Sequence, residues 1–239
     1  MIVDGINVVR ELLKSNSNVD KVIVEKSNNK DVLSILDLAN RLGFPVQVME
    51  RKDLEKITKG KNQGVVAFVP NYKYCDVRDI MLEAERKSQK PFIVLLDGIE
   101  DPHNLGAIVR TCECAGVHGV IIPENRACEV NATVYKTSAG AVSNMKICRV
   151  TNLTRTIDEL KQLGVWVYAM EAGDKSMYSA DFTYPTAIVI GSEGRGVSRL
   201  VKEHCDEILS LDMYGSVNSL NASNAGAIAI YEVVRQRRN

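Results

Sequence analysis

The sequence predicts an α/β protein in two parts, a small N-terminal unit at residues 1–72 and a larger one at residues 91–239. Short apolar runs alternate with amphipathic helical segments along the whole chain, which is typical of α/β folds. A polar, charge-rich stretch interrupts that alternation at residues 73–90, and we take it as the linker. The length of 239 residues suits a small domain joined to a medium one.

The composition is that of an ordinary soluble globular protein, with 45% hydrophobic and 25% charged residues. Thirty basic residues balance thirty acidic ones, so no net field attracts a polyanion. No apolar run is long enough for a membrane span and no signal-peptide pattern follows Met1, so we expect a cytoplasmic location. The six cysteines are scattered and lack metal-ligand spacing, which predicts thiols in a reducing compartment and no bound metal.

The N-terminal unit contains a complete alternation of helices and strands. Helical spacing of apolar residues marks the helices, and short apolar runs mark the strands. In chain order we predict a helix at 5–14, a strand at 19–26, a helix at 31–43, a strand at 44–50, a short helix at 53–60 and a strand at 63–70.

Polar and basic residues cluster before the last strand of this unit. The cluster comprises Lys56, Lys59, Lys61, Asn62 and Gln63. Such a run is more often a solvated face, while a contact with a nucleic-acid backbone is the functional alternative. The residues by themselves leave both interpretations open.

The C-terminal unit begins with a strand, a turn and a helix. Ile93–Leu96 is an apolar run typical of a strand covered on both faces, and Asn104 can cap a helix from Leu105 to Cys114. Arg110 lies one to two turns into that helix. We expect its guanidinium near the top of the sheet, aimed at a site, with a surface salt bridge as the equal alternative.

Further strands and helices continue the alternation. Polar small residues at 131–144 precede a strand that ends near Val150. A helix at 156–164, a strand at 165–171 and a strand–turn–helix unit at 186–204 follow.

The turn in that last unit is rich in glycine, with Gly191, Gly194 and Gly196 in the pattern G-x-x-G-x-G. It matches neither a dinucleotide loop nor a Walker loop, and Glu193 within it would repel a pyrophosphate. The turn therefore suits a ligand that lacks phosphate or carries positive charge. A tight turn without a ligand stays open as the alternative.

The segment from 208 to 232 predicts a strand (208–213), a polar turn (214–221) and a helix capped by Asn221 or Ser219. The helix is rich in small residues, which permit close approach of another backbone, although a capped core helix is the simpler interpretation. These small residues are Ala222, Ala225, Gly226, Ala227 and Ala229. For the terminal Arg235, Arg237 and Arg238 we expect a frayed, solvated end rather than an RNA contact.

Three segments together resemble a known family: DPHNLGAIVRTCECAG (101–116), IVIGSEGRGVS (188–198) and LDMYGSVNSLNASNAGAIAIYE (211–232). In order and spacing they are similar to the motifs of the SpoU branch of the SPOUT RNA 2′-O-ribose methyltransferases, closest to the TrmH/RlmB subgroup. Residues 1–72 look like the ribosomal-protein-like RNA-binding domain that precedes the catalytic domain there. Alternation alone predicts an open Rossmann sheet, whereas the resemblance implies a deep C-terminal trefoil knot.

The resemblance implies S-adenosyl-L-methionine as cofactor and a homodimer as the assembly. It places the cofactor among loop residues at the ends of the predicted strands. The implied cofactor-binding residues are Met170, Gly191, Gly196, Leu211, Met213 and Leu220.

The resemblance also implies the residues that act on the ribose, namely Asn104, Arg110, Glu193, Ser219 and Asn221. Arg110 matches the family arginine proposed to activate the 2′-hydroxyl. Because a guanidinium almost never loses its proton in a protein, we expect it to hold the 3′ phosphate or to stabilise the alkoxide. Glu193 is expected to pair with Arg110 or to hold loop backbone. His103 is expected to pack on the loop rather than to act as a base.

The function implied is 2′-O-methylation of a ribose in structured RNA, with a guanosine of large-subunit ribosomal RNA as first choice. The type of N-terminal domain favours rRNA over tRNA, as does a chain ending just after its last helix. A tRNA methyltransferase and a non-catalytic RNA-binding or assembly factor are the alternatives. A nucleotide-dependent oxidoreductase lacks the phosphate loop on an early strand.

Overall fold

The computed structural model describes residues 1–15, 19–58 and 62–238. The chain forms two compact units. The first comprises Met1–Lys73 together with Val130–Asn144, and the second comprises Tyr74–Glu129 together with Met145–Asn239. The functional division into 1–72, a linker and 91–239 stays a prediction. That division assigns residues 130–144 to the C-terminal domain, whereas in the structure they belong to the first unit.

Helices and strands alternate through both units, with two short 3₁₀ turns at Ala141–Asn144 and Met177–Ser179. In chain order the elements are β1 (Ile2–Asp4), α1 (Ile6–Lys14), β2 (Lys21–Glu25), α2 (Lys30–Arg41), β3 (Val46–Met49), α3 (Arg51–Ile57), β4 (Val65–Phe68), α4 (Val77–Arg86), β5 (Phe92–Asp97), α5 (Pro102–Cys114), β6 (Gly119–Pro123), α6 (Ala132–Thr137), β7 (Ile147–Val150), α7 (Leu153–Gln162), β8 (Trp166–Met170), β9 (Thr186–Gly191), α8 (Arg199–His204), β10 (Glu207–Leu209) and α9 (Ala222–Arg237).

The first unit is built on a four-stranded sheet in the order β1-β4-β2-β3, with β4 antiparallel to both of its neighbours and β2 parallel to β3. The segment carrying α6 packs on β1 and α1. Lys136 of α6 forms an ion pair with Asp4 at 2.9 Å. Gly140 has φ +88°, and a Cβ there would lie 2.8 Å from Glu11, so only glycine allows this approach.

The basic cluster of this unit is largely occupied by local contacts. Lys59 and Lys61 lie outside the described residues. Lys56 pairs with Asp53 at 2.7 Å, the buried Asn62 bonds Thr58 and the Gly64 N–H, and the Gln63 side chain accepts from the Ile6 N–H. Asn62 and Gln63 therefore make hydrogen bonds that shape the loop before β4.

The second unit is an α/β layer structure around a six-stranded parallel sheet, in the order β10-β8-β9-β5-β6-β7. Its central strands are apolar and buried, as expected for strands covered on both faces. One face packs against α4, α7 and α8 through a core that includes Ile80, Ile157 and Val201. On the other side, α9 lies against α5 and β9.

The small residues of α9 meet this chain's own core. A Cβ at Gly226 would lie 2.7 Å from the Ile190 side chain and 3.9 Å from that of Ile108, and Ala222 and Ala229 are buried too. The interpretation as a capped core helix is confirmed, because the Asn221 side chain accepts from the N–H groups of the second and third helical residues. An additional contact with a partner subunit stays a prediction.

Three predicted boundaries are wrong, and one of them is the start of the helix predicted at 156–164, which begins at Leu153. The strand predicted at 208–213 ends at Leu209, and residues 211–221 form an irregular loop. Helix α5 begins at Pro102 and is capped by Asp101, which accepts from the His103 N–H at 2.9 Å. Proline suits the first helical position and aspartate suits the cap, so Asn104 lies inside the first turn instead. Strand β1 and helix α6 escaped prediction because they are too short to show a period.

The frayed C-terminus expected from sequence is also wrong. Arg237 donates to the carbonyls of Phe182, Lys90 and Pro91 at 2.9–3.1 Å, donates to that of Tyr184 as well, and lies over the Phe92 ring. Burial lowers the pKa of this arginine. These hydrogen bonds hold the last turn of α9 against the amino ends of β5 and β9.

Among the described residues, no helix is long and apolar enough to cross a bilayer, and no group of three metal-ligating side chains occurs. All six cysteines are described, and no disulfide joins them. Burial raises the pKa of Cys75 to about 11 and of Cys205 to about 12, which keeps these thiols protonated.

Candidate active site

The carboxyl ends of four neighbouring strands meet at one edge of the parallel sheet. Met170 of β8 lies between Leu209 of β10 and Ile190 of β9, and Asp97 of β5 lies beside Gly191. Loops from adjacent parallel strands therefore emerge side by side, where ligands bind in open α/β sheets. Two predicted cofactor residues, Met170 and Gly191, belong to this edge, and Leu211 follows it by two residues.

The glycine-rich turn after β9 is closed by its own backbone. Ser192 and Gly196 exchange two hydrogen bonds of 3.2 and 2.8 Å. A Cβ at Gly191 would lie 2.1 Å from the Gly196 carbonyl carbon, and one at Gly196, where φ is +62°, would lie 2.0 Å from Glu171. The Glu171 carboxylate in turn accepts from the Val197 N–H at 2.8 Å. Both glycines are therefore required for the turn to form.

Three of the predicted site residues are brought together by this arrangement. The Asn104 amide donates to the Glu193 carboxylate at 2.7 Å, and the Asn221 amide donates to the same carboxylate oxygen and to the Asn104 carbonyl oxygen at 3.1 Å. They come from α5, the glycine turn and the cap of α9, which are 89 and 28 residues apart in sequence. We call Asn104, Glu193 and Asn221 the amide–carboxylate cluster.

The cluster gives Glu193 a partner that neither of the two expected alternatives named. Its carboxylate accepts from two side-chain amides, and among the described residues it forms no ion pair with Arg110 and holds no loop backbone, so both alternatives are wrong. The Asn221 oxygen meanwhile accepts from Ser223 and Asn224 as the cap of α9. The cluster thus joins one loop to the starts of two helices, and none of its three members is a cation.

Arg110 and Ser219 do not join the cluster. Arg110 is exposed on α5, six residues and hence about 9 Å along the helix from Asn104, and it makes no hydrogen bond or ion pair within the described ranges. Ser219 is exposed in the loop before α9. His103 is exposed as well and contributes its backbone N–H to the cap of α5, so the packing expected of its ring is not formed.

The loop between β10 and α9 carries apolar side chains into solvent. Met213 and Leu220, both predicted to bind the cofactor, are 39% and 40% exposed, and Tyr214 beside them is 95% exposed. Exposed apolar side chains next to a polar cluster are available to cover a ligand.

A cleft of about 480 Å³ lies against the glycine turn and the start of α5. It is lined by two members of the cluster, Asn104 and Glu193, and by two arginines for which we predict no role from sequence, Arg126 and Arg195. Arg126 has φ +56°, which is unusual for any residue other than glycine. No sequence pattern marks this backbone conformation, so only the structure reveals Arg126.

Two family models match the chain. The model of the SpoU rRNA methylase family covers residues 91–231, and that of the RNA 2′-O ribose methyltransferase substrate-binding domain covers residues 2–75. A TrmH family tRNA/rRNA methyltransferase of Bacillus subtilis is 43% identical over 98% of this chain and 94% of its own length. One of Staphylococcus aureus is 39% identical over 100% of this chain and 97% of its own length.

Solved structures resemble the fold over all or part of the chain. The SpoU methyltransferase AviRb of Streptomyces viridochromogenes, in complex with AdoMet, has a TM-score of 0.82 at 26% identity, covering 100% of this chain and 90% of that chain. The TrmH/SpoU tRNA modifying enzyme of A. aeolicus has a TM-score of 0.57 at 31% identity, covering 66% of this chain and 84% of that chain.

Proposed function

This chain belongs to the SpoU family of RNA methyltransferases, and from that premise we propose that it methylates the 2′-hydroxyl of a guanosine in large-subunit ribosomal RNA, with S-adenosylmethionine as methyl donor. The observation that carries the proposal is the amide–carboxylate cluster of Asn104, Glu193 and Asn221 beside the glycine turn. These three residues lie far apart in sequence and meet at the edge of the sheet where ligands bind.

The residues at this edge fit the cofactor. Gly191 and Gly196 leave no room for side chains, so a ligand there meets backbone amides and carbonyls. Met213 and Leu220 offer exposed apolar surface for an adenine ring and a methionine chain, and Met170 and Leu211 complete the set that would hold it. When bound, the cofactor supplies a methyl group already activated on a sulfonium. The binding of AdoMet by AviRb supports this assignment.

The remaining task of the protein is to position and activate a ribose hydroxyl. Such a hydroxyl is a weak nucleophile until its developing negative charge is stabilised, so catalysis depends on position and electrostatics. We assign that stabilisation to Arg110, whose guanidinium has no other partner among the described residues. The hydroxyl proton then passes to phosphate or water.

The amide–carboxylate cluster and Ser219 orient the ribose in this scheme. Each Asn amide of the cluster already donates to Glu193, so the carboxylate fixes which face of each amide is presented to a ligand. Ser219, exposed two residues before Asn221, supplies a further hydroxyl. None of these groups needs to change protonation state during the transfer.

The match of residues 91–231 to a model named for rRNA methylases favours rRNA, whereas the model matched by residues 2–75 names RNA without distinguishing rRNA from tRNA. A second candidate, methylation of tRNA, is favoured by a different observation. The A. aeolicus tRNA modifying enzyme is 31% identical to this chain, although it covers only 66% of it. We place rRNA first because the rRNA methylase model covers the larger part of the chain.

Family membership also supports a homodimer, a deep trefoil knot in the C-terminal unit and a cytoplasmic location. Ile228 and Tyr231 of α9 are 39% and 49% exposed, and such apolar side chains suit a subunit interface. Size-exclusion chromatography with light scattering measures the assembly directly, and a monomer at micromolar concentration would contradict the dimer.

The experiment that tests the function supplies methyl-labelled S-adenosylmethionine and the purified protein with ribosomal RNA and tRNA in separate reactions. We expect label in large-subunit rRNA, at a 2′-oxygen of guanosine when the product is digested and mapped. Label in tRNA alone would reverse the substrate choice. Absence of both transfer and calorimetric cofactor binding would favour a non-catalytic RNA-binding factor.

A further inference from the structure

We infer that Arg126 and Arg195 form a clamp for the phosphodiester backbone of the RNA strand that enters the cleft. The inference rests on the proposed function, because it takes RNA as the ligand of the cleft. We call these two residues the arginine clamp. It lies outside the amide–carboxylate cluster and is separate from Arg110.

The order of the strands places the two arginines on either side of Asn104. Strand β5 lies between β9 and β6 in the sheet, and all three are parallel. Arg195 is in the turn after β9, Arg126 is in the loop after β6, and α5, which carries Asn104, follows β5 between them. All three residues line the same cleft. A nucleotide held at Asn104 therefore has a cation on each side.

Among the described residues, the two guanidinium groups have no hydrogen-bond partner, whereas most carboxylates of the cleft accept hydrogen bonds from N–H groups. Neither arginine has a hydrogen bond or ion pair within the described part of the chain. Asp97 accepts from the Ser198 N–H at 2.7 Å, Asp101 accepts from the His103 N–H, and Glu193 takes two amides.

Glu100 is the remaining carboxylate of the cleft, is exposed, and has no such donor within the described ranges. The four carboxylates of the cleft outnumber its two arginines, so net charge does not attract a phosphate here. What favours a phosphate is the set of N–H donors on Arg126 and Arg195 that the described residues leave unused.

The backbone holds Arg126 in place at some cost. Its φ of +56° is a left-handed conformation that a long side chain seldom adopts. Hydrogen bonds from the Glu124 N–H to Val150 and from the Cys128 N–H to Ile99, both 2.8 Å, fix the loop on either side of it. Strain that the surroundings enforce is common at ligand sites, because it preorganises a side chain for its partner.

Arginine suits phosphate better than any other side chain, since its planar fork donates two parallel hydrogen bonds to two oxygens. Contacts with phosphates fix the register of a strand and carry no base information. The clamp therefore positions the strand that contains the target ribose, while base choice is made elsewhere. Arg195, at the tip of a turn only five residues long, presents its fork from a rigid support.

The test measures binding of protein-free large-subunit rRNA, at several salt concentrations, to the wild type and to Arg126→Asn, Arg195→Gln and Arg78→Gln. Asparagine tolerates a left-handed backbone, so Arg126→Asn should not lower the melting temperature. Arg78 is the matched control, an exposed arginine of α4 with no hydrogen bond or ion pair within the described residues.

We expect each clamp variant to raise the Kd for rRNA about 3- to 10-fold at low salt and to lower the slope of log Kd against log salt by about 1. The clamp variants should bind S-adenosylmethionine with the affinity of the wild type. The Arg78→Gln variant should have the same Kd for rRNA and the same salt slope as the wild type. Unchanged Kd and slope in both clamp variants would overturn the inference, as would equal losses in the Arg78 control.

Methyl transfer by the wild type, measured in the same series, separates this inference from the proposed function. If the wild type methylates RNA while the clamp variants bind it normally, only the clamp is wrong. If no RNA is methylated but the clamp variants still weaken rRNA binding, the clamp stands and the catalytic proposal fails. A wild type that binds no rRNA contradicts both.

Discussion

The two edges of the parallel sheet use the same side chain in opposite ways. At the amino edge, Arg237 donates to four backbone carbonyls and stacks on a phenylalanine ring. At the carboxyl edge, Arg126 and Arg195 line an open cleft with no partner in the described part of the chain. An arginine that uses most of its donors within the fold stabilises it, whereas one with unused donors is available to a ligand.

The difference follows from which backbone groups at each edge need hydrogen-bond partners. At the amino edge the last turn of α9 meets backbone carbonyls that would otherwise be unpaired, and Arg237 and Gln236 satisfy them. At the carboxyl edge the loops satisfy themselves, through the Ser192–Gly196 pair and the cap of α5. Substitutions at the two edges should therefore separate stability from activity.

The largest effect on activity is expected from Arg110→Ala on α5. Loss of the group that stabilises the developing charge should lower kcat by about 100- to 1000-fold. The melting temperature should stay the same, because Arg110 makes no bond within the described residues. Transfer of labelled methyl to rRNA measures the first quantity and calorimetry the second. Turnover equal to the wild type would remove Arg110 from the mechanism.

The largest effect on stability is expected from Arg237→Ala at the amino edge. The buried Phe182 carbonyl loses its donor, and the Pro91 carbonyl keeps only the Thr186 N–H, which should cost about 2 kcal/mol and lower the melting temperature by about 4–8 °C. Activity per folded molecule should not change. Urea titration of wild type and variant gives the free energy of unfolding. A variant as stable as the wild type, but inactive, would reverse the roles of the two edges.

The amino edge should also make stability depend on pH through His118. Its Nδ1 accepts from the Phe92 N–H at 3.0 Å. Burial lowers the pKa of His118 to about 4, and the positive charges of Lys87 and Arg237 lower it further, while Glu83 raises it by a smaller amount. The unfolded chain binds this proton near pH 6.5 and the folded one only near pH 4. Stability should therefore fall as the pH drops through that window, by about 2 kcal/mol between pH 7 and pH 5.

Urea titrations at those two pH values, for the wild type and His118→Asn, measure this dependence. The asparagine oxygen can still accept from Phe92 but does not titrate, so the variant should lose less stability on acidification. Equal losses in both proteins would assign the effect to other groups.

The smallest effect is expected from Glu193→Gln in the amide–carboxylate cluster. One carbonyl oxygen remains to accept both amides, but the charge that strengthens those hydrogen bonds is lost. Methyl transfer should fall by about 10-fold, or about 1.4 kcal/mol, with stability nearly unchanged. Glu193→Ala, which removes the acceptor, should fall further. Full activity in both variants would show that the cluster does not orient the ribose.

Local sequence determined much of the architecture, because period and capping are properties of short segments. Residues close in sequence are enough to predict helices α1 and α2, the buried strands β5 and β9, and the cap at Asn221. The three motifs also identify the family, since their residue types and order are carried by the sequence itself. The roles of individual site residues stay predictions.

Tertiary structure alone decided which polar groups meet. Glu193 binds Asn104 and Asn221 rather than Arg110, and Arg237 is fixed by carbonyls of the loops before β5 and β9, because long-range packing chooses among partners that sequence leaves equivalent. The left-handed backbone of Arg126 likewise depends on bonds to distant residues. Sequence determines what a segment forms, but the partner of a charged side chain is set only when the chain has folded.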